Sequence, residues 1–216
     1  MLHDTPLREI HLEEARRLLA DRGAPEGSER PGAATGSVPI APEPEYIPWG
    51  PPGPGGDQSC EVLATLGSVE IEYAHLRRDC GRIDDSSRGT ILVEGEDAVD
   101  FLDRMLSQKL AGMQPGQAAM AFLVDRKGRI QADLFLVCTR RGMLIDLDIH
   151  QVESTLQALE QFIFSEDVRL SDASNAWHRL GCHGPGAIEK FSGVEPLEVL
   201  ETELGGVQVH VTRVDR

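Results

Sequence analysis

Two apolar, β-compatible runs, Ala118–Val124 and residues 129–138, are joined by Asp125-Arg126-Lys127-Gly128. The turn glycine tolerates the positive φ that a tight reversal needs, so this spacing predicts a β-hairpin. In the second run Ile130, Ala132, Leu134, Leu136 and Cys138 share one face, and Gln131, Asp133, Phe135 and Val137 share the other. A strand apolar on both faces has to be covered on both sides. Asp133 is then a carboxylate among hydrophobic neighbours. An unpaired buried charge is costly, so it needs a partner: a backbone donor, an arginine or a ligand.

The surrounding pattern alternates helix and strand periods. Residues 69–80 read as a helix and residues 90–93 as a strand. Residues 96–108 carry Ala98, Phe101, Leu102, Met105 and Leu106 at the spacing of a buried helical face. Residues 143–147 form another strand candidate, and residues 151–164 form a helix with Val152, Leu156, Leu159 and Ile163 inward. Short strands are expected at 168–170, 177–182 and 207–214. Locally paired strands interrupted by helices indicate an α+β fold of mixed or antiparallel sheets with flanking helices.

Ahead of this core, residues 5–21 carry Leu7, Ile10, Leu18 and Leu19 among charges, the mark of a short amphipathic helix. From residue 22 to 59 the composition changes: Pro25, Pro31, Pro39, Pro42, Pro44, Pro48, Pro51, Pro52 and Pro54 alternate with Gly, Ser, Ala and Glu. Proline fixes φ and removes a donor, so regular structure is not expected there, although Tyr46, Ile47 and Trp49 can pack locally. The expected organisation is a segment 1–21, an insertion or linker 22–59, and a main part 60–216.

The formal charge is −15, from 36 acidic against 21 basic residues. That field disfavours nucleic acid as a general partner, and anionic lipid surfaces equally. No run approaches the roughly 20 apolar residues of a membrane crossing, and no leader pattern opens the chain. Cys60, Cys80, Cys138 and Cys182 lie far apart without a CxxC. Reduced thiols in the cytoplasm are the expectation.

Five collinear blocks resemble the folate-binding domain of the glycine-cleavage T-protein (aminomethyltransferase) and YgfZ-like superfamily. Thr5-Pro6-Leu7 with His11 is similar to that family's opening T-P-L-x-x-x-H. Glu72 and the run Arg77 to Ser86, with Gly89, resemble its E-H-x-x-V-R-x-x-A-G-L-F-D-V-S segment. Residues 95–106 with Pro115-Gly116-Gln117 resemble the G-x-D-A-x-x-F-L helix and P-G-Q turn. Residues 125–134 resemble the central hairpin, and residues 180–187 the L-x-x-Q-G-P-x-A turn. The resemblance covers most of the sequence outside the proline-rich stretch. It implies a T-protein-like domain in its N-terminal portion only, truncated relative to the family, since relatives continue past the strand that Val209 to Arg213 resembles.

The resemblance also implies tetrahydrofolate as ligand. A pterin presents adjacent donors that a carboxylate pairs with. Asp133 is the leading candidate; Gln108, Gln131, Lys127 and Arg129 are further candidates, the two cations for a folate glutamate tail. Four of them have an ordinary structural alternative: Asp133 satisfying a nearby backbone donor or an arginine, Gln108 ending a helix, Lys127 and Arg129 as solvated turn charges. No catalytic residue is assigned. The family's Asp-Asp pair on the hairpin strand is here Ala132-Asp133, and Asp146-Leu147-Asp148 replaces an Asn-rich motif. The turn at 125–129 and residues 162–168 look closer to the YgfZ branch, associated with iron–sulfur cluster maintenance, though its K-G-C-Y-x-G-Q-E motif is absent.

Three functions follow as expectations. The first is a folate-binding protein supporting iron–sulfur clusters or related one-carbon chemistry. The second is an aminomethyltransferase, or a folate-dependent demethylase, completed by a complementary chain. The third is a degenerate interaction module without a ligand. His178, Cys182 and His183 include zinc-ligand types, with His178 and Cys182 on one side of the expected strand, but no fourth ligand is visible, and no metal is expected.

Overall fold

The computed structural model describes residues 5–20, 43–52 and 60–214. Most of the 22–59 stretch therefore lies outside the described residues, as do Asp21 and the side chains of Leu18 and Leu19. The chain divides into two compact units, residues 1–86 with 180–189, and residues 87–179 with 190–216.

The first unit carries helix α1 (Arg8–Ala20), strands β1 (Glu45–Pro48) and β2 (Glu61–Thr65), helix α2 (Val69–Arg78) and strand β3 (Gly81–Asp84). The proline-rich stretch was not expected to hold regular structure, yet β1 lies within it. Pro44 and Pro48 fit because β1 belongs to a two-stranded antiparallel ribbon with β2, where a missing donor is tolerated. Tyr46 anchors the ribbon: its hydroxyl lies 3.0 Å from His11 Nδ1, and the Arg8 guanidinium sits 4.0 Å over its ring. His11 Nε2 lies 3.3 Å from Asp84, which also accepts from Thr5 Oγ1 at 2.5 Å. The T-P-L-x-x-x-H residues thus tie α1 to β3 through a buried carboxylate.

The second unit is built on a five-stranded antiparallel sheet in the order β5-β6-β7-β4-β8. Its strands are β4 (Arg88–Glu94), β5 (Ala118–Val124), β6 (Ile130–Cys138), β7 (Met143–Asp148) and β8 (Arg169–Asp172). Helix α3 (Ala98–Met105) buries Ala98, Phe101 and Leu102; helix α4 (Val152–Glu160) buries Val152, Thr155 and Leu159. All of these except Thr155 share one core cluster with Ile91, Val93, Leu134, Leu136, Ile145 and Leu147. At about 25 cal/mol per Å² of apolar area buried, this inner layer dominates the unit's stability. Gly142 closes the β6–β7 turn at φ +152, where a Cβ would lie 2.4 Å from the Val93 carbonyl oxygen.

Helix α4 stops at Glu160, short of the expected 164, and a 3-10 turn (Ile149–Gln151) precedes it. Strand β9 (Leu180–His183) pairs with β3, helix α5 (Pro185–Lys190) follows, and β10 (Val199–Leu204) pairs with β11 (Val207–Thr212). Because β9 starts at Leu180, His178 is not on it, contrary to the expected strand 177–182. The fold is α+β with antiparallel sheets and flanking helices.

Candidate functional site

The hairpin forms with the expected turn: Asp125 accepts from the Lys127 and Arg129 backbone N–H groups at 2.7 and 2.9 Å, and Gly128 takes φ +75. These bonds from Arg129, backbone and side chain, hold the Asp125 carboxyl below its ordinary range. Arg129 is itself drawn into this cap by a 2.7 Å ion pair. Lys127 is exposed on the turn.

Pairing Leu123↔Ala132 and Val124↔Ile130 leaves Gln131 as one extra residue on β6. The bulge reverses the alternation below it, so Ile130 is 61% exposed instead of joining Leu134 and Leu136 in the core. The inner face of β6 is buried at Ala132, Leu134, Leu136 and Cys138 as expected. Burial raises the Cys138 thiol above its ordinary value, so it stays protonated.

The opposite face corrects the expectation for Asp133. It was expected among covered apolar neighbours; it is exposed. The physical reason is the reach of the covering layer. Trp177 and Val199 belong to a cluster with Leu92, Ala118, Val137 and Leu144 toward the far end of the strands, and Phe135 packs at its margin. At the hairpin end the face is open, with Met120, Phe122 and Val124 each more than a third exposed. Asp133 lies directly across from Phe122, and its side chain makes no hydrogen bond or ion pair among the described residues.

Gln108 is exposed, one residue after Ser107, whose N–H donates to the Phe122 carbonyl at 3.0 Å. The fold therefore brings Gln108 to the sheet edge level with the Phe122–Asp133 pair. Gln131 is exposed beside them, and its carbonyl accepts from Gln151 Nε2 at 3.1 Å.

Sequence reasoning missed a charged clamp on this face. Asp146 pairs in register with Phe135 and Thr90, making it a diagonal neighbour of Asp133. Its Oδ1 accepts from Arg88 Nε at 2.8 Å and Nη2 at 2.5 Å, and from Arg179 Nη1 at 2.6 Å. One carboxylate thus joins β7, β4 and the segment after Trp177. The available signal was an aspartate inside the apolar run Met143 to Leu147, which demands a cation.

A separate cleft of about 220 Å³ lies at the β6–β7 turn, lined by Ala98, Val99, Met113, Pro115, Cys138 and Met143 among others; Asp133 does not line it. Among the described residues no His, Cys, Asp and Glu side chains group to hold a metal, and no helix is long and apolar enough to cross a membrane.

The class of protein this defines is an α+β domain of antiparallel sheets and flanking helices, with one sheet face open at its hairpin end. The chain belongs to the GCVT N-terminal domain family, whose model matches residues 61–215. It is 26% identical over 162 residues to an aminomethyltransferase of Exiguobacterium sibiricum, covering 71% of this chain and 45% of that protein. An aminomethyltransferase of Rubrobacter xylanophilus is 25% identical over 161 residues, covering 71% and 43%. The crystal structure of glycine cleavage system aminomethyltransferase T from Bartonella henselae matches with a TM-score of 0.58 at 22% identity, over 67% of this chain and 42% of that one. The chain spans less than half the length of these relatives.

Proposed function

We propose that this chain binds tetrahydrofolate on the open half of the sheet face, with Asp133 accepting hydrogen bonds from the pterin ring. The observation that supports this most is the state of Asp133: exposed, without a side-chain partner among the described residues, and directly across from Phe122. A carboxylate with free lone pairs suits the paired N–H donors of a pterin, and the flanking apolar surface suits the flat ring. Bound folate would supply the nitrogen atoms that carry a one-carbon unit. Asp133 would orient that ring, Gln108 and Gln131 would offer amide hydrogen bonds at its edge, and Lys127 would meet a glutamate tail. Arg129 contributes less, because Asp125 already holds its guanidinium.

Aminomethyl transfer, completed by polypeptide equivalent to what the relatives carry beyond the matched region, is the activity favoured by what those relatives are called. Support of iron–sulfur clusters in the YgfZ manner is the second reading, favoured by the 125–129 turn and residues 162–168. Titration calorimetry with tetrahydrofolate tests the binding claim. Saturable binding weakened at least about tenfold by Asp133→Asn is expected, from the loss of one charge-assisted bond. An unbound wild-type chain, or an indifferent variant, refutes it. Methylene-tetrahydrofolate formation with the complementary part supplied separates the two activities.

A further inference from the structure

The chain after helix α4 carries a feature the folate reading does not use. Phe164 is 85% exposed and Phe162 is 43% exposed, two residues apart on a surface loop. Scattered exposed apolar residues are ordinary. This loop differs because hydrogen bonds tie its backbone down while it displays them. Glu166 Oε2 accepts from the Phe164 and Ser165 backbone N–H groups, each at 3.0 Å, and its Oε1 pairs with Arg104 at 3.0 Å. Those backbone bonds bring the Glu166 carboxyl down to about 2.

A second latch joins the loop to the start of α3. The Asp167 N–H donates to Asp97 Oδ2 at 2.8 Å, while Glu96 N–H donates to Asp167 Oδ2 at 3.2 Å. Gly95 lets the two backbones meet: a Cβ there would lie 1.8 Å from the Asp167 carbonyl oxygen. Val168 is buried immediately afterwards.

Rigid, solvent-exposed aromatic residues lose little entropy on association, which is the profile of an interface anchor. The surroundings define the partner's chemistry. Glu96, Asp97, Asp100, Glu160 and Asp167 lie on the elements bearing the loop, against Arg104, already paired, and Arg169. This acidic rim repels an anionic lipid surface and favours a cationic one on a protein.

We infer that residues 161–167 form a docking knob for another protein, Phe164 and Phe162 entering an apolar groove rimmed by lysine and arginine. The test replaces Phe164 with photoreactive benzoyl-phenylalanine in the full chain, expressed in its native cells, with the same replacement at Tyr73, 62% exposed, as control. A discrete adduct specific to position 164 is expected, with the cross-linked peptide lying in an apolar groove flanked by basic residues. The purified complex should weaken at least about tenfold on Phe162→Ala and again on raising salt from low to high ionic strength. The melting temperature of Phe162→Ala should stay that of the parent. No adduct, an adduct shared with position 73, or one formed with lipid or a second copy of the chain overturns the inference; so does a salt-insensitive complex.

Discussion

Asp146→Ala removes the acceptor on which Arg88 and Arg179 converge. Three N–H groups donate to one oxygen, at 2.8, 2.5 and 2.6 Å. The side chains are 15%, 25% and 36% exposed for Asp146, Arg88 and Arg179. Breaking a fully buried pair costs about 3–5 kcal/mol, and an exposed pair is worth about 0–1 kcal/mol. Partial exposure places this clamp between those limits, at about 2 kcal/mol. In urea, with a slope of about 2 kcal/mol per molar, the unfolding midpoint should fall by about 1 M. A double-mutant cycle with Arg88→Met assigns the loss: the two changes should fall short of additivity by about 1 kcal/mol or more. A midpoint unchanged by Asp146→Ala, or strictly additive changes, would show that the guanidiniums are solvated individually and that the clamp holds nothing.

Leu136 is fully buried in the inner layer, so Leu136→Ala should cost about 2–5 kcal/mol in the same urea assay; a loss under about 1 kcal/mol would put the core on the wrong face. Gly142→Ala forces a positive φ on alanine and drives its Cβ against the Val93 carbonyl; about 2 kcal/mol or more of destabilisation is expected, and a neutral result would refute that turn geometry. Glu166 has its folded carboxyl brought from 4.5 to about 2. The sign follows from linkage: its stabilising contribution is present above about pH 4.5 and disappears as pH falls toward 2. The protection factors of the Phe164 and Ser165 amides, taken against the intrinsic exchange rate at each pH, should therefore fall between pH 4.5 and 2 in the parent and not in Glu166→Gln; identical profiles would contradict it.

The sheet was largely legible because its strands are long and apolar. Strand β5 falls on the expected residues, and β6 and β7 fall within a residue of expectation. The ribbon strands were harder. β1, β2, β3 and β10 pair in twos, and runs such as Val199–Leu204, reading Val-Leu-Glu-Thr-Glu-Leu, show no clean apolar alternation. Helix α4 ends at Glu160 with neither glycine nor proline to mark it; the side-chain caps from Glu166 that shape the following loop involve a residue that looks helix-compatible in sequence. Candidate-site residues divide the same way. Alternation put Asp133 on the correct face of β6, but which end of that face is covered depends on where Trp177 and Val199 fold back. Arg88, Asp146 and Arg179 are far apart in sequence and meet only through strand register.

Backbone amide shifts recorded during a tetrahydrofolate titration test the central proposal most directly. Saturable changes should centre on Phe122, Asp133 and Phe135, extend to Gln108, and vanish in Asp133→Asn. Changes confined to the cleft between Met113 and Met143, or none at all, would contradict a folate site on the open sheet face.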